Sequence, residues 1–245
     1  MTRISNTRPS AQRLRTRDFL FPVVAGFVLL VLLQALVGRM YVIPSASMEP
    51  TLHGCAGCDN DRIAVQKVSY YFSDPRPGEV VVSEGPDSRI SEFQVKRSHN
   101  IIVRGAQNAL AAVGLLPNGE NILVKRVIAT GGQTVSCEAG DTSVMVDGKP
   151  VNQDFILDPP EIPVDPKAGS QACGGEYFGP ITVPEGNLWV MGDNRTNSLD
   201  SRAHLGDHLQ GTVPVDNVRG RVEGVILPLS RWGGVDHPEI SDASA

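Results

Sequence analysis

Several features that would assign this sequence to a well-known class of protein are absent. The 245 residues contain no internal repeat, and cysteine occurs only four times. Cys55 and Cys58 form a single Cys-x-x-Cys pair, but the second half of a four-cysteine zinc site is missing. The pair also lacks the βαβ surroundings of a thioredoxin-like redox motif. We therefore expect neither a metal nor a cofactor.

Positive charge is concentrated at the N-terminus. Residues 1–18 contain five arginines and one acidic residue, whereas the whole chain has a formal net charge of −5. A basic arm on an acidic body is compatible with nucleic-acid binding, but the apolar run that follows the arm argues against a nucleic-acid partner. We interpret residues 1–18 as a basic cytoplasmic arm.

The chain has one long uncharged run, residues 19–37, which is polar only at Gln34. A helix needs roughly 20 apolar residues to cross a bilayer, so we predict a single transmembrane helix over residues 19–38. The preceding arginines place the N-terminus in the cytoplasm and the body outside the cytoplasmic membrane. A cleavable secretory signal is the alternative, but the run is longer than a usual signal core, and residues 38–41 are a poor cleavage site.

The body, residues 39–233, reads as mainly β, followed by a flexible tail over residues 234–245. Glycine and proline are frequent, and short β-branched runs predict strands over residues 62–68, 78–82, 122–129, 134–137, 144–146, 188–191 and 218–226. Asp147-Gly148 between apolar stretches predicts a β-hairpin within an insertion. Residues 152–187 are rich in proline, glycine and acids, and we interpret them as an irregular excursion.

One helix is predicted, over residues 101–116, because apolar residues recur there at helical spacing before Pro117-Asn118-Gly119. It lies in an insertion over residues 85–120. We expect it to pack on the core rather than on a membrane surface.

Ser47 is a candidate nucleophile. Pro44 and Pro50 restrict the backbone on both sides of it, and such a stiff loop presents a hydroxyl at a fixed angle. Taken alone, the segment is equally typical of a turn. The apolar run just upstream would hold Ser47 close to the membrane.

Lys125 is a candidate general base in the predicted strand over residues 122–129, although a lone lysine in a strand usually faces solvent, and the segment alone favours that interpretation. Strand residues alternate between faces, so we expect at most one of Lys125 and Arg126 to face the interior. As a base, Lys125 needs a pKa lowered from about 10.4 to about 7–8, at a cost of roughly 3–4 kcal/mol. Apolar neighbours such as Leu123 and Val124 favour that change, whereas Arg126 always stays charged.

A third segment, residues 191–202, is unusually rich in hydrogen-bonding groups: Met-Gly-Asp-Asn-Arg-Thr-Asn-Ser-Leu-Asp-Ser-Arg. A solvated turn is one interpretation. The other is a polar brace, in which Ser198 orients Lys125 while Asp200 and Arg202 pair to lock the loop.

The three segments, in this order behind an apolar run, resemble the bacterial type I signal peptidases, which are membrane-bound serine proteases that remove signal peptides from exported preproteins. Gly78-Glu79-Val80-Val81-Val82 matches a further strand of that family. The resemblance implies a largely β catalytic body with an apolar surface near the bilayer, exported preproteins and membrane lipid as partners, and no cofactor.

The resemblance also implies a role for each matching residue. Ser47 corresponds to the nucleophile and Lys125 to the general base. The Ser45 hydroxyl and the Ser47 N–H correspond to the oxyanion donors, and Ser198, Asp200 and Arg202 correspond to the supporting residues. The residues that correspond to the lining of the substrate pockets are Ile43, Pro44, Met48, Leu52 and Val124. The chain departs from the family in having one span where some relatives have two, and in the additions at residues 85–120 and at Cys55–Cys58.

The four cysteines allow three pairings, and the sequence does not choose among them. Local loop closure favours two disulfides, Cys55–Cys58 and Cys137–Cys173.

Alternative functions remain open. A serine–histidine–aspartate protease would use one of five histidines, such as His204 near Asp200. His204 and His208 are spaced as metal ligands on a helix, but Gly206 makes a helix there doubtful. A membrane-anchored binding module without enzymatic activity would leave Ser47 and Lys125 incidental. Penicillin-recognising acyl transferases have a lysine three residues after the serine, which Ser47 lacks. A self-cleaving repressor would have a DNA-binding domain in place of the apolar run.

Overall fold

The structure, a computed structural model, describes residues 20–26, 29, 37–85, 98–112 and 122–240. Residues 20–26 are helical, but most of the predicted transmembrane helix lies outside the described residues. Within the described part of the chain, no helix is long and apolar enough to span a bilayer.

The described residues form a mainly β body, as predicted. It contains one α-helix, α1 (Ile101–Ala112), and 3-10 turns at Ala46–Met48, Val68–Tyr71, Ser201–His204, Val215–Asn217 and Leu229–Arg231. The strands are β1 (Gly38–Val42), β2 (Arg62–Gln66), β3 (Val80–Glu84), β4 (Ile122–Thr130), β5 (Thr134–Cys137), β6 (Met145–Val146), β7 (Lys149–Pro150), β8 (Gly169–Ser170), β9 (Gly175–Glu176), β10 (Phe178–Thr182), β11 (Asn187–Met191), β12 (Val213–Pro214), β13 (Val218–Leu227) and β14 (Gly233–Gly234).

A large antiparallel sheet carries the segments of chemical interest. Its strand order is β1-β2-β13-β3-β4-β11-β12, with β14 paired to β13. Strand β4 is central, because it pairs with β3 on one side and β11 on the other. The segments around Lys125 and Gly192 therefore lie on neighbouring strands, although 66 residues separate them in the chain.

A second sheet, in the order β10-β5-β6-β7, packs against the first. Between them lies an apolar core in which Phe178 stacks on the fully buried Trp189, with ring centroids 5.6 Å apart. The predicted hairpin joins β6 to β7, and Asp147 and Gly148 have positive φ angles of 52° and 74°. That conformation suits an Asp-Gly turn.

Residues 152–187 were predicted to be irregular, and that prediction is wrong in part. Strands β8 and β9 pair with each other, and β10 pairs with β5 through Phe178 and Cys137. Gly179-Pro180 within β10 is typical of a turn, so only the tertiary pairing makes this stretch a strand.

Helix α1 begins at the predicted residue, and residues 113–121 lie outside the described part. The expectation that this helix packs on the core is wrong for its first turn, because Ile101 and Ile102 are 74% and 79% exposed.

Residues 234–240 belong to the packed body, although the sequence suggested a flexible tail from residue 234. Val235 and Ile240 are buried, and β14 pairs with β13. The side chain of His237 also bridges two strands. Its Nδ1 accepts a hydrogen bond from the Val80 N–H, and its Nε2 donates to the Val222 carbonyl.

Candidate active site

Ser47 lies in the 3-10 turn Ala46–Met48, which follows β1. The Glu49 N–H closes the turn on the Ala46 carbonyl at 3.0 Å. Ser47 and Met48 are 7% and 1% exposed. Because the Met48 side chain is buried in the core beneath the turn, the Ser47 hydroxyl is held in one place.

The Ser47 hydroxyl is contacted by a buried amine. Lys125 Nζ, on β4, donates a hydrogen bond to Ser47 Oγ at 2.8 Å, and Lys125 is only 5% exposed. The hydroxyl of Ser45 donates to the same oxygen at 3.2 Å. An amine in this position can accept the hydroxyl proton once it is itself neutral, which is the requirement for a general base.

Arg126 is also buried, at 1% exposure, so the expectation that at most one of the two cations faces the interior is wrong. The two side chains do leave opposite faces of β4, but both faces are covered. Arg126 donates to Asp193 through Nε at 2.9 Å and Nη2 at 2.7 Å, and to the Gly78 carbonyl at 2.7 Å. The ring of Phe155 lies 4.2 Å from its guanidinium carbon.

Residues 192–194 hold the backbone of the nucleophile turn. The Asn194 N–H donates to the Ser47 carbonyl, and Asn194 Nδ2 donates to the Ala46 carbonyl, both at 3.1 Å. Thr51 Oγ1 donates to Asp193 at 2.6 Å. The Arg126–Asp193 pair therefore fixes both β4 and the chain just after Ser47. Sequence reasoning assigned no role to Asp193, Asn194 or Thr51. The buried ion pair of Arg126 and Asp193 depends on the tertiary structure, so the sequence alone does not reveal it.

Gly192 lies where β11 meets the nucleophile turn. A Cβ at this position would be 2.3 Å from Ser198 Oγ and 2.4 Å from the Ser47 carbonyl oxygen. Only glycine allows this approach of the two segments.

The buried Asp200 and the partly buried Arg202 form a bidentate pair, with Nε 2.9 Å and Nη2 2.8 Å from the carboxylate oxygens. Arg202 also donates to the carbonyls of Gly174 and Arg195, so it ties three stretches of chain together. Burial raises the pKa of Asp200. The charge and hydrogen bond of Arg202, the Gly192 N–H and the charge of Lys125 outweigh this effect, and the pKa is lowered.

Ser198 Oγ is buried beside Gly192 and has no hydrogen-bond partner among the described residues. A buried hydroxyl without a partner is rare in folded proteins. The neighbouring Ser201 is a supporting residue that the sequence analysis missed, because its hydroxyl accepts a hydrogen bond from the Val190 N–H at 3.0 Å.

The five residues expected to line substrate pockets divide into two groups. Ile43, Met48 and Leu52 are 2%, 1% and 0% exposed and belong to the core under the nucleophile turn. Pro44 and Val124 are only partly buried.

The cysteines form the two local pairs that loop closure favoured. Cys55 is bonded to Cys58, and Cys137 to Cys173, with Cα atoms 5.5 Å and 5.6 Å apart. The second pair is fully buried, whereas Cys55 is exposed.

Histidine does not take the place of Lys125 at Ser47, whose hydroxyl bonds to Lys125 and Ser45 within the described residues. In the same part of the chain, His204 and His208 belong to no cluster with metal-ligand spacing.

A serine hydroxyl in contact with a buried lysine amine on a β-sheet body is the arrangement expected of serine hydrolases that use a lysine base. Comparison with known proteins identifies the family. The model of the signal peptidase family, peptidase S26, matches residues 16–227. Signal peptidase I of Mycobacterium tuberculosis is 50% identical over 230 residues, covering 92% of this chain and 77% of that protein.

Two further relatives carry similar names. Probable signal peptidase I of Mycobacterium leprae is 47% identical, over 89% of this chain and 78% of that protein. Probable signal peptidase I-1 of Synechocystis is 33% identical, over 86% and 82%. The chain therefore belongs to the signal peptidase family, and the prediction of a serine endopeptidase of bacterial type I is confirmed.

Proposed function

We propose that this chain removes signal peptides from exported preproteins by acyl transfer from Ser47 to water, with Lys125 as the general base. The observation that carries this proposal is the 2.8 Å contact between two buried groups, Lys125 Nζ and Ser47 Oγ. Neutral Lys125 takes the hydroxyl proton as Ser47 Oγ attacks the scissile carbonyl. It then protonates the leaving amine and activates the water that hydrolyses the acyl-enzyme.

The negative charge that develops on the carbonyl oxygen needs hydrogen-bond donors. We assign them to the Ser45 hydroxyl and the Ser47 N–H. The Ser45 hydroxyl already lies 3.2 Å from Ser47 Oγ, so it is close to where the oxyanion forms. One such donor is typically worth about 3 kcal/mol of transition-state stabilisation.

Lys125 must also point in one direction throughout the cycle. We assign this orienting role to Ser198, whose buried hydroxyl has no partner among the described residues and lies beside Gly192. A neutral lysine amine has one lone pair and two N–H donors, so it can accept the Ser47 proton while it donates a hydrogen bond to a second hydroxyl. Asp200 and Arg202 hold the Ser198 loop from behind.

The substrate is proposed to lie along the edge formed by Pro44 and Val124. Ile43, Met48 and Leu52 are buried just beneath it, and they set the depth of shallow pockets for small side chains.

We further propose a single membrane span with the N-terminus in the cytoplasm and the body outside. The uncharged run over residues 19–37 and the arginines before it support this topology. Contact of the body with lipid is supported by Leu229 and Trp232, which are 69% and 71% exposed around one short turn. Trp is the residue type favoured at membrane interfaces. Protease added outside right-side-out vesicles should digest the body while sparing an epitope tag on residue 1.

The proposed catalytic roles are tested by cleavage of a purified preprotein with the full chain in detergent. Ser47→Ala and Lys125→Ala should each lower kcat/KM by at least about 1,000-fold, because both groups act in one proton transfer. Ser73→Ala and Lys149→Ala, which change exposed residues of the same types, should leave it unchanged. Normal cleavage by Lys125→Ala would refute Lys125 as the base.

A further inference from the structure

The loop after the nucleophile turn, residues 53–61, carries a second cluster of chemically reactive side chains. Its two ends are joined independently of its cysteines. The His53 N–H donates to the Asp61 carboxylate at 2.7 Å, and the Asp61 N–H returns a hydrogen bond to the His53 carbonyl at 2.9 Å. Arg231 Nε holds the same carboxylate at 2.8 Å. The loop therefore keeps its shape whether or not a disulfide closes it.

Three metal-ligating atoms meet in this loop. One ring nitrogen of His53 and the sulfurs of Cys55 and Cys58 all lie within 4.8 Å of one another. In a tetrahedral zinc site, with bonds of about 2.3 Å to sulfur and about 2.1 Å to nitrogen, neighbouring ligand atoms are roughly 3.5–4 Å apart. A small separation of the two sulfurs would reach this geometry. The third ligand here comes from a histidine rather than from a second Cys-x-x-Cys pair.

The imidazole of His53 is oriented by a carboxylate. Its Nδ1 is hydrogen-bonded to Glu49, so Nε2 is the nitrogen left to bind a metal. Carboxylate, histidine and metal in this order recur in zinc sites, because the carboxylate fixes the ring and makes it more basic. Glu49 also closes the 3-10 turn of Ser47 through its N–H. The cluster is therefore directly connected to the nucleophile turn.

The surroundings of Cys58 suit its reduced form as well as the disulfide. Asn60 Oδ1 accepts a hydrogen bond from the Cys55 N–H at 2.9 Å and lies 3.2 Å from Cys58 Sγ. A thiol at residue 58 can donate to that oxygen, whereas a disulfide sulfur has no proton to donate. Gly57, at the tip, has a φ of 87° and open space around it, which permits a tight turn around a metal.

We propose that His53, Cys55 and Cys58 form a zinc site under redox control, in which the Cys55–Cys58 disulfide and bound Zn²⁺ exclude each other. A dithiol reductant gives two electrons and two protons to the disulfide and becomes a disulfide itself. The two cysteine thiols then release two protons as their sulfurs bind Zn²⁺ as thiolates. His53 is the third ligand, and water fills the fourth position.

Selective reduction makes this proposal testable on the full chain in detergent. Cys137 and Cys173 are both 0% exposed, whereas Cys55 is exposed, so a mild dithiol treatment should free two thiols per chain and no more. After removal of the reductant, Zn²⁺ is added and the metal bound per chain is counted by native mass spectrometry. We expect one Zn²⁺ in the reduced protein and none in the oxidised protein. Co²⁺ in place of Zn²⁺ should give thiolate-to-metal charge-transfer absorption.

The variants identify the ligands. His53→Gln and Cys58→Ser should each abolish Co²⁺ absorption, and Glu49→Gln should weaken zinc binding by about 10–100-fold. His208→Gln removes an exposed histidine elsewhere and should bind zinc like the parent. Circular dichroism checks that every variant is folded. A folded, reduced protein with two free thiols and no bound Zn²⁺ would overturn the proposal. Equal binding by the oxidised protein, or by both His53→Gln and Cys58→Ser, would also overturn it.

Discussion

Lys125 and Arg126 are adjacent in the chain and both buried, but their surroundings give them different chemistry. Arg126 forms an ion pair with Asp193 and a hydrogen bond to the Gly78 carbonyl, so its role is structural. Lys125 instead contacts the Ser47 hydroxyl, whose proton must be removed for Ser47 to attack as proposed. The family resemblance identified Lys125 as the candidate base, and the chemistry excluded Arg126, since an arginine cannot lose its proton. The sequence did not reveal that Arg126 is buried, because the covering residues come from distant parts of the chain.

Loss of the Asp193 carboxylate, the partner of Arg126, should lower the free energy of unfolding. Asp193→Asn would leave the guanidinium charge buried and unbalanced, and breaking such a pair typically costs about 3–5 kcal/mol. The free energy of unfolding, measured by urea denaturation of the full chain in detergent, should fall by that amount. Glu223→Gln, at the more exposed pair with Arg221, should change it by less than about 1 kcal/mol. Equal effects of the two substitutions would contradict the assigned role of Asp193.

Gly192 should be indispensable for activity. An alanine methyl would overlap Ser198 Oγ and the Ser47 carbonyl, and overpacking of this kind costs about 1–3 kcal/mol. Because the nucleophile turn must move to relieve the overlap, we expect kcat/KM for preprotein cleavage to fall by about 100-fold. Gly206→Ala is the matched control, since nothing lies within 4 Å of its Cβ position. Full activity of Gly192→Ala would show that the turn tolerates displacement.

At the scale of elements, the strands that the sequence predicted correctly are those with continuous apolar or alternating patterns. Strands β2, β3, β4, β5, β11 and β13 all lie within two residues of the expected bounds. Strand β10 was missed because its Gly-Pro pair is typical of a turn, and β14 because two glycines carry no pattern. Each of these two strands forms because it pairs with another strand, and a local sequence pattern does not reveal such pairing.

The C-terminal segment should release as the pH falls, because His237 accepts the Val80 N–H only when it is neutral. Burial lowers its pKa below the ordinary value of 6.5; the charges of Arg221 and Arg126 act in the same direction, while the Val222 hydrogen bond and the charge of Glu79 oppose them. The unfolded chain therefore takes up this proton at a higher pH than the folded protein. The stability from neutral His237 is complete above about pH 6.5 and is lost as the pH falls through the folded pKa.

This predicts a smaller pH dependence of stability in His237→Gln. The free energy of unfolding of the parent protein should drop between about pH 7 and about pH 5, and the drop should be reduced in the variant. His208→Gln, which changes an exposed histidine, should keep the parent's pH dependence. An identical drop in His237→Gln and the parent would exclude His237 as a source of the effect.

At the scale of the whole molecule, the sheet brings together three segments that lie far apart in the chain. Ser47 and Lys125 are 78 residues apart, and Thr51 and Asp193 are 142 residues apart. The residue types in each segment indicate what chemistry that segment can perform. The expectation that the three segments lie close together came from the family resemblance. The sequence did not reveal the contacts of Asn194 with the nucleophile turn, which depend on where the segment after β11 lies. It also did not reveal the burial of Ile43, Met48 and Leu52, which depends on apolar residues of β2, β3 and β13.

The central claim is that the Lys125 amine, in its neutral form, activates Ser47. The most direct test is the dependence of kcat/KM on pH, measured from about pH 6 to about pH 10 with a purified preprotein and the full chain in detergent. We expect kcat/KM to rise with pH as one amine loses its proton, and Lys125→Ala to lose both this rise and nearly all activity. A Lys125→Ala protein that still cleaves, with the same rise as the parent, would show that another group is the base.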